Sequence, residues 1–302
     1  DPFADAVSAT FEWIMSRPEV FVVDHPVVRE AYRGDNHKIV LDPSRHKEIC
    51  ALYFSSNNIY FPNEETVFRN RIVENDAYEW YRTRVRVAHK HIFLRDIFKQ
   101  WYLTGLNERV STPESLLEFL REQTEGYRIV ALGSSAGGYA AVLYGSLLGA
   151  ERILSFNGQM ELDSLLESSV PEINPVLFDL KNTELRKYYD LRDFIRDPSS
   201  VYYFHSMHSK WDRDQAAHVA DLGLNAIGFR TGHHGIPFLK SSLDDVLQLE
   251  PPRLRELAGS SHWPLLFSVM TTGLGKTLPF LTGLAWTQLR NRFGWRAGRR
   301  DA

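Results

Sequence analysis

The sequence has little cysteine, with Cys50 as the single thiol among 302 residues. A disulfide within the chain is therefore excluded, which favours a reducing compartment such as the cytoplasm. An excess of one charge is also absent, because 35 basic residues stand against 38 acidic ones and give a formal net charge of −3. We accordingly expect no nucleic-acid partner.

The sequence also lacks a phosphate-binding signature. Its most glycine-rich turn carries Gly133, Gly137 and Gly138, a G-x-x-x-G-G spacing that differs from the dinucleotide fingerprint G-x-G-x-x-G. The turn contains no Gly-Lys-Ser/Thr sequence of the kind found in nucleotide-binding loops. We therefore expect no permanently bound cofactor.

Short apolar segments alternate with segments of helical periodicity along most of the chain. The predicted strands cover residues 20–23, 38–41, 49–54, 89–94, 129–132, 152–156, 201–204 and 226–229. Parallel strands need crossover helices of this kind, so the predicted class is α/β, with a mostly parallel central sheet flanked by helices. Residues 160–198 predict a helical cap insertion. Pro251 and Pro252 suggest a boundary between a catalytic domain over 1–250 and a helical, Arg-rich extension over 251–302.

One turn between a predicted strand and a predicted helix carries a catalytic pattern. The residues are Gly133-Ser134-Ser135-Ala136-Gly137, a G-x-S-x-G. A residue at the apex of such a turn exposes its side chain, and small neighbours let the chain reverse. We predict Ser135 as a nucleophile and the N–H of Ala136 as an oxyanion donor. The alternative is an ordinary glycine-rich turn.

A serine nucleophile needs an imidazole base, and the imidazole needs a carboxylate that orients it. His233 and His234 follow the last predicted strand, and we favour His234 because a glycine succeeds it. For the acid we favour Asp212 over Asp214. The competing interpretation of Asp212 is an N-cap, since Asp212-x-x-Gln215 has the spacing of a capping box.

A polar, uncharged loop follows the apolar strand over 49–54. Its Ser56 and Asn57 are candidates for the second oxyanion donor, because loops at the carboxyl ends of parallel strands carry the sites of α/β proteins. The alternative is a plain Asn/Ser turn.

The predicted strand over 89–94 is followed by a charged pair and aromatic residues. Arg95, Asp96 and Trp101 are candidates for substrate binding, and a structural salt bridge between Arg95 and Asp96 is the alternative. His205 and His208 are spaced i, i+3 but lack a third ligand at a defined spacing, so we expect no metal site.

The end of the chain is apolar and then basic. Residues 261–289 are rich in apolar side chains but contain Pro264, Gly273 and Pro279, which argues against a membrane-spanning helix. Five arginines follow, interleaved with aromatic residues, within 290–300. This composition favours a membrane surface or a partner protein as the contact of residues 261–300, whereas packing on the chain's own domain is the alternative.

These motifs resemble the α/β-hydrolase fold. Gly133 to Gly137 is similar to its nucleophile elbow, and the order Ser135, Asp212 or Asp214, then His234 matches its triad order. The chain departs from the family where the common His-Gly oxyanion motif is replaced by Ser-Ser-Asn-Asn after residue 54.

More narrowly, three segments resemble hydrolase-like proteins encoded with bacterial capsule and surface-polysaccharide genes. The segments cover residues 52–62, 93–102 and 133–139. The resemblance implies an O-acetyltransferase or O-acyl esterase that acts on a carbohydrate, with acetyl-CoA as a candidate acyl donor. A cytoplasmic chain, as the single cysteine suggests, with a membrane-surface segment over 261–300 would fit polysaccharide assembly at the inner membrane, so we expect a cytoplasmic location, peripheral at that membrane. The alternative is a non-catalytic scaffold protein of a polysaccharide biosynthesis or export complex.

Overall fold

A computed structural model describes residues 25–277. Within them one sheet has the strand order β1-β3-β2-β4-β5-β6-β7-β8. The strands are β1 (His37–Leu41), β2 (His46–Phe54), β3 (Ala88–Leu94), β4 (Arg128–Ser134), β5 (Arg152–Phe156), β6 (Val201–Ser206), β7 (Asn225–Phe229) and β8 (Ser261–His262). The α-helices are α1 (Pro26–Tyr32), α2 (Glu65–Phe68), α3 (Pro113–Thr124), α4 (Ala136–Leu148), α5 (Asp163–Ser168), α6 (Pro175–Leu180), α7 (Lys210–His218), α8 (Leu243–Val246), α9 (Pro251–Leu257) and α10 (Pro264–Thr272).

All neighbouring strands are parallel except β1, which runs antiparallel to β3. The seven strands predicted from residue 38 onward are confirmed, most with one to three residues added at their ends, whereas the strand predicted over 20–23 lies outside the described residues. Because the strands from β2 to β7 run the same way, their carboxyl ends meet at one edge of the sheet. Loops from β2, β3, β4, β5, β6 and β7 all leave the sheet at that edge.

Side chains of each strand alternate between two buried layers, as the two-residue period of a strand requires. On β2, Leu52 and Phe54 pack with α3 and α4, whereas Ala51 and Tyr53 face the layer that contains α9 and α10. Both faces of the sheet are covered, which explains why the strands are apolar throughout.

The helix α4 is central because it follows the glycine-rich turn. Nearly all of its residues are buried, and it ends at Gly149 in the left-handed conformation with φ of 67°. Gly145 packs on β5, since a Cβ at this position would lie 2.9 Å from the Ile153 side chain. The helix is thus wedged against the sheet and fixes the turn that precedes it.

The insertion between β5 and β6 forms α5, α6 and a 3-10 helix over Glu184–Tyr189. It packs beside α4, where the Tyr139 hydroxyl donates to the Tyr188 carbonyl at 2.6 Å. It also contacts α7 through Gln215, whose side-chain oxygen accepts the N–H of Met160 at 2.6 Å. These contacts place the insertion on the flank that α4 and α7 share.

The chain after Pro251 continues the same sheet and core in its described part. β8 pairs with β7, and Leu254, Leu257 and Phe267 join the buried layer beneath β7. Among residues 25–277 no helix is long and apolar enough to cross a bilayer. The predicted Arg-rich segment over 290–300 lies outside the described residues.

Candidate active site

Ser135 stands at the turn between β4 and α4. Its φ is 52° and its ψ is −124°, a conformation that costs a non-glycine residue about 1–3 kcal/mol. The turn is held on both sides, because the Ser135 N–H donates to Phe156 at 2.9 Å and its carbonyl accepts the Tyr139 N–H at 3.0 Å. The strained backbone presents the hydroxyl at the carboxyl edge of the sheet.

The two outer glycines of the G-x-S-x-G are needed sterically. A Cβ at Gly133 would lie 2.1 Å from the Gly137 carbonyl oxygen. A Cβ at Gly137 would lie 2.2 Å from the carbonyl oxygen of Phe54, at the end of β2. The turn therefore closes only with glycine at both positions, and it packs directly against the loop that follows β2.

The predicted serine, histidine and aspartate form a continuous chain of contacts. His234 Nε2 lies 2.9 Å from Ser135 Oγ, and His234 Nδ1 lies 2.8 Å from Asp212 Oδ1. The carboxylate, 1% exposed, accepts a hydrogen bond from Nδ1–H. This tautomer leaves Nε2 unprotonated, so Nε2 can accept the serine proton. Trp211 covers the imidazole, with ring centroids 5.0 Å apart and planes 18° from parallel.

The capping-box interpretation of Asp212 is wrong. The N-cap of α7 is Ser209, whose hydroxyl accepts the Asp212 N–H at 3.3 Å. Gln215 turns instead toward the insertion, where its side-chain nitrogen donates to Glu161 at 2.7 Å. The Asp212 carboxylate is thereby left for His234.

The alternative acid and base lie elsewhere. Asp214 is exposed and pairs with Lys210 at 2.6 Å, one helical turn away. The side chain of His233 is exposed as well. Its carbonyl, rather than its ring, has a structural contact, because it accepts the Ser206 hydroxyl at 2.6 Å.

Asn157, which sequence reasoning did not single out, holds the histidine loop. Its side-chain nitrogen donates to the carbonyls of His233 at 3.3 Å and Gly235 at 2.9 Å, on either side of His234. Its side-chain oxygen accepts the Ser206 N–H at 2.8 Å. Asn157 is fully buried and follows β5 directly. A polar residue directly after a predicted strand could have been predicted to lie at the site.

The two predicted oxyanion donors differ in whether their backbone N–H already has an acceptor within the protein. Ala136 is the first residue of α4, so its N–H belongs to the first turn, where a helix has no acceptor of its own. The Ser56 N–H, in contrast, donates to the Glu79 carboxylate at 2.5 Å, and the Ser56 hydroxyl contacts the same carboxylate at 3.1 Å. Asn57 begins a 3-10 helix that Ser56 caps. The structure therefore corrects the prediction of a free donor at Ser56.

Arg95 was predicted to bind substrate, but its contacts are structural. The guanidinium lies 3.1 Å from Asn36 Oδ1, 3.1 Å from the Ala77 carbonyl and 3.0 Å from Asp76. The side chain is 7% exposed. The predicted pairing of Arg95 with Asp96 is replaced by the pairing with Asp76, and the substrate role predicted for Arg95 is corrected.

Asp96 is likewise buried, and its carboxylate organises the loop after β3. It accepts the N–H groups of Phe98 at 3.0 Å, Gln100 at 2.6 Å and Tyr102 at 2.9 Å. Burial raises the pKa of Asp96 to about 6, although these N–H groups oppose the shift. The predicted substrate contact at Asp96 is therefore corrected to a role inside the loop.

Trp101 is the member of that predicted group that lies in the site. The loop adopts positive φ at Lys99, Trp101 and Tyr102. It delivers the Trp101 indole N–H to the side-chain oxygen of Gln159 at 2.9 Å, and Gln159 Nε2 lies 3.5 Å from Ser135 Oγ. Gln159 was not predicted, although it follows β5 at the edge where sites form.

Among residues 25–277 there is no cluster of three or more His, Cys, Asp or Glu side chains that could hold a metal ion. His205 stacks on Tyr203, with ring centroids 5.6 Å apart, and His208 donates its backbone N–H to Thr231.

Comparison with known proteins gave structural likeness only. No protein-family model matches the sequence, and no curated protein matches it either. The solved structures it is similar to include a capsule O-acetyltransferase of Neisseria meningitidis serogroup A, with 12% identity and a TM-score of 0.43 over 65% of this chain and 83% of that chain. A mutant of that transferase has been solved in complex with CoA.

Two staphylococcal hydrolases are similar to the same degree. A fluorophosphonate-binding serine hydrolase of Staphylococcus aureus has 13% identity and a TM-score of 0.39 over 65% of this chain and 86% of that chain. The S-formylglutathione hydrolase of S. aureus has 14% identity and a TM-score of 0.41 over 72% of this chain and 92% of that chain. Likeness at this level assigns no activity.

The fold follows from the chain's own topology. A mostly parallel sheet carries a serine elbow after β4, an aspartate after β6 and a histidine after β7. That is the order in which the α/β-hydrolase fold presents these groups. The chain has the α/β-hydrolase fold.

Proposed function

We propose that the protein transfers acyl groups through an acyl-serine intermediate on Ser135. One observation carries this proposal: the 2.9 Å and 2.8 Å contacts that join Ser135, His234 and Asp212 in one line. In the first step Ser135 Oγ bonds to the carbonyl carbon of an ester or thioester, while its proton moves to His234 Nε2. The tetrahedral intermediate collapses, and the leaving group takes that proton.

The second step reverses the first with a new partner. His234 removes a proton from water or from a hydroxyl, whose oxygen attacks the acyl-serine carbonyl and releases Ser135. Asp212 holds the imidazole in the required tautomer in both steps. The Ala136 N–H donates to the oxyanion, a contact typically worth about 3 kcal/mol in the transition state.

Labelling with a fluorophosphonate probe separates this proposal from the scaffold alternative. Wild type should label at Ser135, and Ser135→Ala should not. Ser134→Ala is the matched control, because Ser134 is the neighbouring hydroxyl at the end of β4 and should leave labelling intact. Absence of labelling in folded wild type would favour the scaffold.

We further propose a carbohydrate hydroxyl as the acyl acceptor, with acetyl-CoA as the candidate donor. The support is the resemblance of residues 52–62, 93–102 and 133–139 to hydrolase-like proteins of surface-polysaccharide loci. Incubation of the acyl-enzyme with oligosaccharide acceptors in water measures the partition directly. Acetylated sugar as the main product would mark a transferase, whereas free acetate in every case would mark an esterase.

A membrane surface remains our proposal for the partner of residues 261–300. On α10 and just before it, Trp263, Leu266 and Met270 are 56%, 55% and 69% exposed at helical spacing. Co-sedimentation of the full chain with anionic and zwitterionic phospholipid vesicles tests this. A Leu266→Glu/Met270→Glu variant should lose vesicle binding, and Val73→Glu, at a site also 55% exposed, should keep it. Equal sedimentation of all three proteins would overturn the proposal.

A further inference from the structure

The side-chain amide of Gln159 faces the Ser135 hydroxyl in a defined orientation. Its Oε1 accepts the Trp101 indole N–H at 2.9 Å. An indole nitrogen can only donate, so the oxygen of the amide must point toward Trp101 and the NH₂ toward Ser135. Gln159 is 1% exposed, and its orientation is therefore fixed inside the protein.

The backbone of Gln159 is held against the first turn of α4. Gly158 touches this turn so closely that a Cβ there would lie 2.6 Å from the Gly138 carbonyl carbon. The Tyr203 hydroxyl donates to the Gly158 carbonyl at 3.0 Å. Gln159 thus enters the site at the helix end that also carries the Ala136 N–H.

The resting distance of 3.5 Å between Gln159 Nε2 and Ser135 Oγ is long for a hydrogen bond. When Oγ bonds to a carbonyl carbon, that carbon's oxygen is added beside Oγ, and a donor set back from Oγ can reach it. A donor that gains its contact only in the tetrahedral state lowers the barrier rather than strengthening substrate binding. The backbone donor predicted at Ser56 is occupied by Glu79, which removes one of the two predicted backbone candidates and leaves the Asn57 N–H and the Gln159 amide for the second donor.

We infer that the Gln159 side-chain amide is the second oxyanion donor, and that Trp101 is the positioning residue that aims it. This inference rests on the proposed acyl transfer at Ser135. As Oγ attacks, the electron pair of the C=O double bond moves to oxygen, and the Oγ proton moves to His234. The oxyanion then accepts N–H from Ala136 and from Gln159. Collapse restores the C=O bond and breaks the bond to the leaving group.

The test combines three variants with pre-steady-state acylation by p-nitrophenyl acetate. Gln159→Leu removes the donor, and acylation should slow about 10²–10³-fold with KM within a few-fold. Gln159→Glu keeps the shape and the acceptor for Trp101 but replaces Nε2 with a carboxylate oxygen, so the loss should be at least as large. Trp101→Phe should cost about tenfold, since the amide is then free to turn.

The matched control is Gln100→Leu. Gln100 is also buried, and it lies in the Trp101 loop, but its amide donates to the neighbouring Lys99 carbonyl at 3.2 Å. Acylation should stay within threefold of wild type. Circular dichroism and thermal midpoints establish that each variant is folded, and Gln159→Glu, which matches the native volume, serves if Gln159→Leu does not fold.

A second readout separates an oxyanion contact from a merely structural one. A trifluoromethyl ketone adds to Ser135 as a tetrahedral adduct, so its inhibition constant should rise in proportion to the loss in kcat/KM across the variants. Unchanged ketone affinity, or acylation within threefold of wild type in Gln159→Leu, would overturn the inference and leave the proposed function standing. Failure of wild type itself to acylate would overturn the proposed function.

Discussion

The Ser135 hydroxyl is contacted from two sides that are built differently. On the histidine side, Asp212 and His234 approach through contacts of 2.8 Å and 2.9 Å. On the amide side, Gln159 Nε2 lies 3.5 Å from Ser135 Oγ, and the amide oxygen contacts Trp101. Trp101 lies in a loop with positive φ at Lys99, Trp101 and Tyr102. The contacts on the first side are short in the resting protein, whereas the contact on the second side is longer than a typical hydrogen bond.

In the proposed mechanism the two sides have separate roles. The short contacts would activate Ser135 before any substrate is present. The longer contact would gain strength only when charge develops on a substrate oxygen. Substitutions on the two sides should therefore differ in which rate and which affinity they change.

The largest effect is expected from the imidazole. His234→Ala should lower kcat/KM for p-nitrophenyl acetate by more than about 10⁴-fold, because the general base is removed. His233→Ala is the matched control and should stay within a few-fold, since the His233 side chain is exposed. A large loss in His233→Ala with little loss in His234→Ala would assign the base to His233 and contradict the role proposed for His234.

The next largest loss in activity is expected from substitution of the carboxylate. Asp212→Asn should lower kcat by about 10³–10⁴-fold, because an amide can stabilise the wrong imidazole tautomer. Asp214→Asn removes an exposed ion pair with Lys210 and should change kcat little. Similar losses in both variants, measured by steady-state kinetics on folded protein, would contradict the assignment.

Substitution of Asn157 tests whether the position of His234 depends on the hydrogen bonds that hold its loop. Asn157→Ala removes the donors to the carbonyls of His233 and Gly235, and the displaced loop should cost about tenfold to a hundredfold in kcat. Asn225→Ala is the control, because Asn225 makes the same kind of contact, with the Ser199 carbonyl at 2.8 Å, at the opposite end of β6 and β7. An equal effect of the two variants on kcat would show a general loss of stability instead.

The smallest effect concerns the support of the amide side. The pKa of Asp96 is raised by burial from 3.8 to about 6, so the native state favours its neutral form. The protonated Asp96 carboxyl therefore contributes fully to the free energy of unfolding below pH 4. This contribution is lost as the pH rises toward 6, by up to about 1.4 kcal/mol per pH unit. Urea unfolding of wild type and Asp96→Asn between pH 4 and 7 measures the difference.

Because the Asn side chain does not titrate, the free energy of unfolding of wild type should fall relative to that of Asp96→Asn across this window. A difference that is constant with pH would contradict the buried, raised pKa of Asp96.

The histidine side could be predicted from sequence because it follows local patterns in chain order. Ser135 lies between an apolar strand and a helix, Asp212 follows β6 and His234 follows β7. The sequence left Asp212 and Asp214 open because both lie just after β6. In the structure Ser209 caps α7, Asp212 is buried and Asp214 is exposed.

The amide side could not be predicted because contacts distant in sequence build it. Trp101 and Gln159 meet only when the loop after β3 reaches the end of β5, and the buried Asp96 holds that loop. Arg95 shows the opposite error: a charged residue at a strand end suggested substrate, but Asp76 and Asn36 bind it. Ser56 was misassigned because Glu79, a partner 23 residues later, was not visible in the local pattern.

The most direct test of the central claim is intact-mass spectrometry with peptide mapping after brief exposure to p-nitrophenyl acetate or acetyl-CoA and acid quenching. We expect wild type to gain one acetyl group, located on Ser135 and absent from Ser135→Ala. An acetyl group on another residue, or an equal gain in Ser135→Ala, would contradict it.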